Sequence, residues 1–233
     1  MTNHHQFYDM NFLVHFICVL TFVNGIYGAK LIVATGFTEE DGFVKTTEVI
    51  DLDNANSKCL PWADFPVGVQ SAVGGLVNDG FLVCARSSFL GDSQQCHFIT
   101  PIMAEETVGL TYASFDSSAV VLDQDRLFVI GGVNFEDGEK KTSFFFSIKD
   151  EKWTKGPDFQ RFRSVHSCGS FILNNQVVSI AAGGDYSDEA SDSGLVNLLV
   201  HVDDEESQWI EGPRLPYATD FGFKRKIVLV VLV

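Results

Sequence analysis

Basic residues are scarce in this chain: 16 Lys and Arg stand against 31 Asp and Glu in 233 residues, a formal charge of −15. Neutralising nucleic-acid phosphates takes a clustered cationic surface, and the only such run is Lys224-Arg225-Lys226. No nucleic acid and no anionic membrane surface is therefore expected as a partner. Long apolar runs are missing too. A membrane helix needs about 20 apolar residues, whereas Ile227 to Val233 supplies seven and the run from Phe12 to Val23 is broken by Asn24 and Gly25. No stable membrane insertion of the mature chain is expected. Chemistry-bearing motifs are equally thin. His97, His166 and His201 stand at no ligand spacing with another His, Cys or carboxylate. There is no nucleophile elbow, no Gly-rich loop followed by Lys and Ser or Thr, and no Ser-x-Asp-x-Gly turn followed by Trp. The sequence predicts no catalytic residue, no metal site and no cofactor.

What is present is a globular composition, 45% hydrophobic and 20% charged, with 21 Phe and many short apolar runs separated by Gly, Asn, Asp and Pro. Runs of that length between turn residues predict strands, so the fold class is all-β. The apolar stretch from Phe12 to Val23, followed by small Gly25 and Gly28, is similar to a secretory signal, which assigns residues 1–28 to a signal peptide and the mature chain to a secreted, extracellular location. Its n-region has His4 and His5 but no Lys or Arg, and Met10 is an alternative start. Removing the segment removes Cys18 and leaves Cys59, Cys84, Cys96 and Cys168, an even number suited to an oxidising compartment. Cys84 ends one apolar run and Cys96 begins the next across a short turn, so adjacent antiparallel strands favour a Cys84–Cys96 disulfide. Cys59 and Cys168 then either pair across repeats or stay as buried free thiols.

The chain repeats itself. LIVATG (Leu31 to Gly36), FLVCAR (Phe81 to Arg86), LFVIGG (Leu127 to Gly132) and VVSIAAGG (Val177 to Gly184) each end in a small-residue pair, with markers Thr35, Ala85, Gly131 and Gly183 spaced by 50, 46 and 52 residues. A second apolar strand follows each: TTEVIDLD, CHFIT, SFFFSI and NLLVHV. Trp62, Trp153 and Trp209 then lead into turns holding Pro66, Pro157 and Pro213; the second unit has no Trp. Small-residue strands open the later units at Val69, Ala113 and Arg163. Each unit thus predicts one four-stranded antiparallel sheet. LFVI, SFFFSI and NLLVHV are apolar without inside/outside alternation, which predicts sheets covered on both faces. A Gly pair suits a bend at a strand end, and a Trp at a fixed place fills space between sheets.

The segment Arg163 to Gly184, RSVHSCGSFILNNQVVSIAAGG, with Trp209 and Gly212-Pro213 beyond it, resembles the kelch motif, and a period near 50 residues resembles a kelch array. Gly131, Gly132, Gly183, Gly184, Trp62, Trp153, Trp209, Arg163 and His166 carry the resemblance as structural residues. Thr35-Gly36 and Ala85-Arg86 depart from the Gly-Gly pattern in the first two units. The resemblance implies a β-propeller of about four four-stranded blades, at residues 29–68, 69–110, 111–160 and 161–216, as a closed small ring or an incomplete propeller. Because LIVATG has no small-residue strand before it in the mature chain, residues 217–233 are expected to pair with 31–36 and close the ring, or else to begin a fifth blade.

The implied function is a non-enzymatic extracellular scaffold that binds an unknown protein partner through rim loops such as Phe37 to Lys45, Ser87 to Gln95, Asn134 to Lys141 and Asp185 to Ser193. One alternative is an intracellular kelch adaptor without its BTB region, serving a ubiquitin ligase or actin. A second is a galactose-oxidase-like copper enzyme, for which Tyr112, Tyr186 and Tyr217 are the available tyrosines but whose extra domains exceed this length. The acidic stretches Asp185 to Asp192 and Asp203 to Glu206 read as solvated turns, since they lack the spacing of a calcium loop.

Overall fold

The computed structural model of the chain describes residues 18–21, 30–38, 40–51, 53–54, 58–68, 70–77, 80–86, 94–109, 117–134, 138–139, 141–164, 166–184, 194–201 and 207–215. All regular structure among them is β. Four four-stranded antiparallel sheets succeed one another along the chain. Sheet one holds β1 (Cys18–Thr21), β2 (Lys30–Thr38), β3 (Gly42–Asp51) and β4 (Leu60–Pro61). Sheet two holds β5 (Gln70–Val77), β6 (Gly80–Arg86), β7 (Gln94–Ile99) and β8 (Ala104–Thr107). Sheet three holds β9 (Ser118–Val121), β10 (Arg126–Ile130), β13 (Ser143–Ser147) and β14 (Lys152–Lys155), with a small hairpin of β11 (Val133–Asn134) and β12 (Gly138–Glu139) inserted. Sheet four holds β15 (Ser167–Leu173), β16 (Gln176–Ala182), β17 (Val196–His201) and β18 (Trp209–Glu211). In each sheet the strands lie side by side in sequence order, a propeller-like arrangement of four blades.

The continuous apolar runs now have a cause. Successive side chains of a strand point to opposite faces, and in the middle sheets both faces meet another sheet. Leu127 and Val129 of β10 pack with Phe146 against Leu82 and Cys84 of sheet two. Their neighbours Phe128 and Ile130 pack instead with Ala181, Leu199 and Trp209 of sheet four. Sheet two divides in the same way: Phe81, Val83 and Ile99 face Ile32, Ala34 and Val49 of sheet one, while Leu82, Cys84 and Cys96 face sheet three. Each fully buried side chain of this kind stabilises by about 1.5–3 kcal/mol. Three apolar clusters thus join sheets one to two, two to three and three to four; among the described residues no such cluster joins four to one.

The first sheet differs from expectation. One edge of β2 pairs with β1, Cys18 opposite Val33 and Thr21 opposite Lys30, and its other edge pairs with β3. The place expected for residues 217–233 over Lys30 to Val33 is therefore held by a strand drawn from residues 18–21, and residues 217–233 lie outside the described residues. Apolar β-formers such as Val19 and Leu20 satisfy a sheet edge as readily as the h-region of a signal.

Cys84 and Cys96 stand directly opposite each other in the β6–β7 ladder and form a disulfide. Closing a loop of 12 residues' separation stabilises by about 3 kcal/mol in the chain-entropy account. Cys59 and Cys168 are free thiols. The pairing across repeats does not form, and Cys59 is exposed, not buried. Burial pushes the Cys168 thiol up to about 12, whereas the Cys59 thiol is raised chiefly by its hydrogen bond with Glu48. Since the thiolate is the nucleophile, iodoacetamide at pH 8 should label exposed Cys59 in the folded protein well before half-buried Cys168, and denaturant should remove the difference. Peptide mapping that finds Cys168 alkylated as fast as Cys59 would contradict its half-buried place against the third cluster.

Candidate functional site

The motif residues converge on the link between sheets three and four. Gly131 and Gly132 follow β10 at φ 59° and 102°, and Gly183 and Gly184 follow β16 at 69° and 100°. Glycine adopts this left-handed backbone without a Cβ penalty. Close approach is the second reason for it. A Cβ on Gly131 would lie 2.4 Å from the Arg163 carbonyl oxygen, and one on Gly184 would lie 2.5 Å from that of Ser164. The Gly132 N–H donates to the Arg163 carbonyl at 2.8 Å. The link therefore runs pressed against both glycine pairs.

Arg163 is 1% exposed. Its Nη2 donates to Asn197 Oδ1 at 2.6 Å and to the Leu195 carbonyl at 3.4 Å, and the guanidinium lies 5.2 Å from the centre of the Phe159 ring. A side chain in the link thereby ties itself to β17. His166 is buried against Gly131 and Gly184, and Ser118 Oγ of β9 donates to its carbonyl. Its ring stands edge-on to Phe159 at 6.2 Å. Neither ring nitrogen has a hydrogen-bond partner among the described residues.

Burial first, and the nearby Arg163 charge second, push the His166 imidazole well below its ordinary range. The folded state therefore resists a proton that the unfolded chain takes up near pH 6.5. Stability from this group is fully present above that pH and is lost as pH falls below it, by about 1.4 kcal/mol per unit. His97, shifted down by burial and opposed by Glu106, acts in the same direction. Urea midpoints at pH 7, 6 and 5 should fall for the natural protein and fall less steeply for His166→Phe. Equal slopes would show that His166 takes up its proton in the folded state.

The tryptophans act as ties between sheets. Trp209 stacks on Phe159 at 4.2 Å, and its Nε1 donates to the Pro157 carbonyl at 3.1 Å, back onto the preceding unit. Trp153 does the same one unit earlier, with Nε1 donating to the Val108 carbonyl at 3.0 Å and its ring beside Phe146 at 4.8 Å. Trp62, half-buried in the first cluster, donates its backbone N–H to the Thr47 carbonyl. In the first sheet Thr35 takes the glycine-like conformation, φ 58°, where the register between β2 and β3 shifts. In the second sheet β6 instead runs straight on through Ala85 and Arg86, paired with Gln95 and Gln94.

The structure thus brings Gly131, Gly132, Arg163, His166, Gly183, Gly184 and Trp209 to one junction. Trp153, Cys84 and Cys96 lie at the junction before it, and Trp62 at the first. Sequence reasoning missed Asn197 and Phe159, and it named Pro157 only as a turn residue, not as the acceptor of the Trp209 N–H. A polar residue opening the apolar strand NLLVHV, and an aromatic just after a turn proline, were the available signals. Among the described residues no group of three or more His, Cys, Asp and Glu side chains gathers as a metal site. The tyrosines 112, 186 and 217, the acidic stretches 185–192 and 203–206, and most of the rim loops from 87, 134 and 185 lie outside the described residues. The expected Phe37 to Lys45 loop is largely strand, because β2 and β3 stay paired out to Thr38 and Gly42.

No protein-family model matches the chain, and no curated protein sequence matches it. Its arrangement of residues carries the functional reading.

Proposed function

We propose that this chain is a secreted kelch-type propeller that serves as a non-enzymatic scaffold for a protein partner. One observation carries the reading: Arg163 and His166, the motif residues richest in chemistry, are turned into the junction between sheets three and four and spent on packing and hydrogen bonds there. With those groups engaged inside, recognition falls to the rims. The Cys84–Cys96 disulfide supports an oxidising compartment. In the secreted reading, cleavage at Gly25 or Gly28 removes β1 and frees the Lys30 to Val33 edge for another strand.

The intracellular adaptor is the second reading, and the pairing of Cys18–Thr21 with β2 favours it, since that strand requires the N-terminal segment to be retained. Expression of the full chain in a secretory cell line separates the two. Protein in the medium with its N-terminus near residue 29 supports the first reading. Cytosolic protein that keeps residues 12–23 overturns it in favour of the second.

A further inference from the structure

Among the described residues, the apolar clusters give sheet four a neighbouring sheet on one face only. Ala181, Leu199 and Trp209 point at sheet three. The register turns the residues between them the other way. Phe171, Val178 and Val200 stand side by side across β15, β16 and β17, and Ile180, Leu198 and Ile210 do so across β16, β17 and β18. This far face carries no charged side chain. Val178 within it is 3% exposed although it belongs to none of the three clusters, whereas Leu173 and Ile210 at its margins are 54% and 53% exposed. We infer that the far face of sheet four is the docking surface for the chain's own apolar run, residues 227–233 (IVLVVLV). Such docking is a property of the chain alone and holds whether the scaffold is secreted or cytosolic.

Pattern and length select this occupant. The run is apolar throughout, and a stretch without alternation suits a strand covered on both faces. Its seven residues match the seven of β15 and the seven of β16. Residues 216–226, which separate it from Leu215, span up to about 36 Å, more than a face about 23 Å long and 14 Å wide requires. Sheet one offers no matching surface. Along β3 Thr47 and Val49 are buried while Thr46 and Glu48 are exposed, the alternation of a sheet whose far side meets water. The β2 edge over Lys30 to Val33 is already taken by β1. A second copy fits poorly as well, because about 300 Å² of sheet face falls short of the roughly 800 Å² per partner of a stable interface. Two chains that each carry −15 also repel. One strand covers less than a whole sheet would, which leaves Leu173 and Ile210 open at the margins.

Photo-crosslinking of the full chain tests the docking, with p-benzoylphenylalanine (Bpa) introduced as Leu173→Bpa, Ile210→Bpa or, on sheet one, Glu48→Bpa, all at exposed positions. Trypsin cuts after Lys226 and releases residues 227–233 as one peptide, so mass spectrometry reads its partner directly. That peptide should be captured from position 210, 173 or both, at about five times the yield from position 48 or more. Capture from position 48 in equal yield, or none from either position on sheet four, overturns the proposal. So does capture between different copies, read from a mixture of isotope-labelled and unlabelled chain, which would assign the face to self-association. A second variant changes the run itself: Leu229→Ser with Leu232→Ser, one on each side of a strand, should raise the fluorescence of bound anilinonaphthalene sulfonate about twofold or more by uncovering the face. An unchanged dye signal in a variant that still melts cooperatively also overturns it.

Discussion

Trp209→Ala should lower the unfolding free energy by about 3–5 kcal/mol. The ring is 4% exposed, stacks on Phe159 at 4.2 Å, lies parallel to Phe128 at 6.0 Å, and anchors its N–H on the Pro157 carbonyl. Truncation removes all of these at once and leaves a void between two sheets that cannot slide together without breaking the Arg163 ties. Domains of this size unfold with roughly 5–15 kcal/mol, so the change consumes a large part of the margin and should lower Tm by about 10 °C. Urea unfolding of the variant measures it. A loss below about 1 kcal/mol would mean that sheets three and four are not packed through this residue. Trp209→Phe keeps a ring and loses the donor, so its smaller cost reads the hydrogen bond separately. Trp153→Ala should fall between the two, because that ring is only half-buried although it bridges sheets two and three in the same manner.

The second large effect is expected at a glycine, and a control lies within the same chain. Gly42 and Gly131 both have left-handed backbones, φ 71° and 59°. A Cβ at Gly42 would meet nothing within 4 Å, whereas at Gly131 it would be driven to 2.4 Å from the Arg163 carbonyl. Gly42→Ala should therefore cost about 1 kcal/mol, the conformational penalty alone. Gly131→Ala adds displacement of the link and should cost about 3 kcal/mol or more. Similar losses at the two positions, read by the same urea titration, would place the Arg163 backbone away from Gly131.

These residues also mark what the sequence made readable. The repeat exposed the sheets because three of its four markers, Thr35, Gly131 and Gly183, share a left-handed φ although only two are glycine. The Asn174-Asn175 pair shows itself as a hairpin turn, with φ of 50° and 65°, the conformation that Asn tolerates better than most residues. Cys84 and Cys96 were readable because local strand adjacency decides their pairing. Features built from distant segments were not. Arg163 reaches Asn197 across 34 residues, although neither spacing nor composition links them. Cys18–Thr21 reads two ways for a different reason, since an apolar β-former has one appearance whether it fills a sheet edge or a signal segment. The fate of Cys168 likewise depends on the third cluster, against which it packs half-buried, and no local pattern encodes that.

The three clusters have a consequence for how the molecule comes apart. Among the described residues the apolar clusters join each sheet only to its neighbours in sequence, so the cohesion they supply is a sum of nearest-neighbour terms along a short stack. Sheets two and three are each held from both sides, and sheets one and four from one side by the clusters described. Opening of an end sheet breaks one junction; opening of a middle sheet breaks two. Backbone amides of β6, β7, β10 and β13 should accordingly exchange with solvent slowest, and those of β3 and β17 sooner, giving the molecule a gradient of local stability from its middle outward.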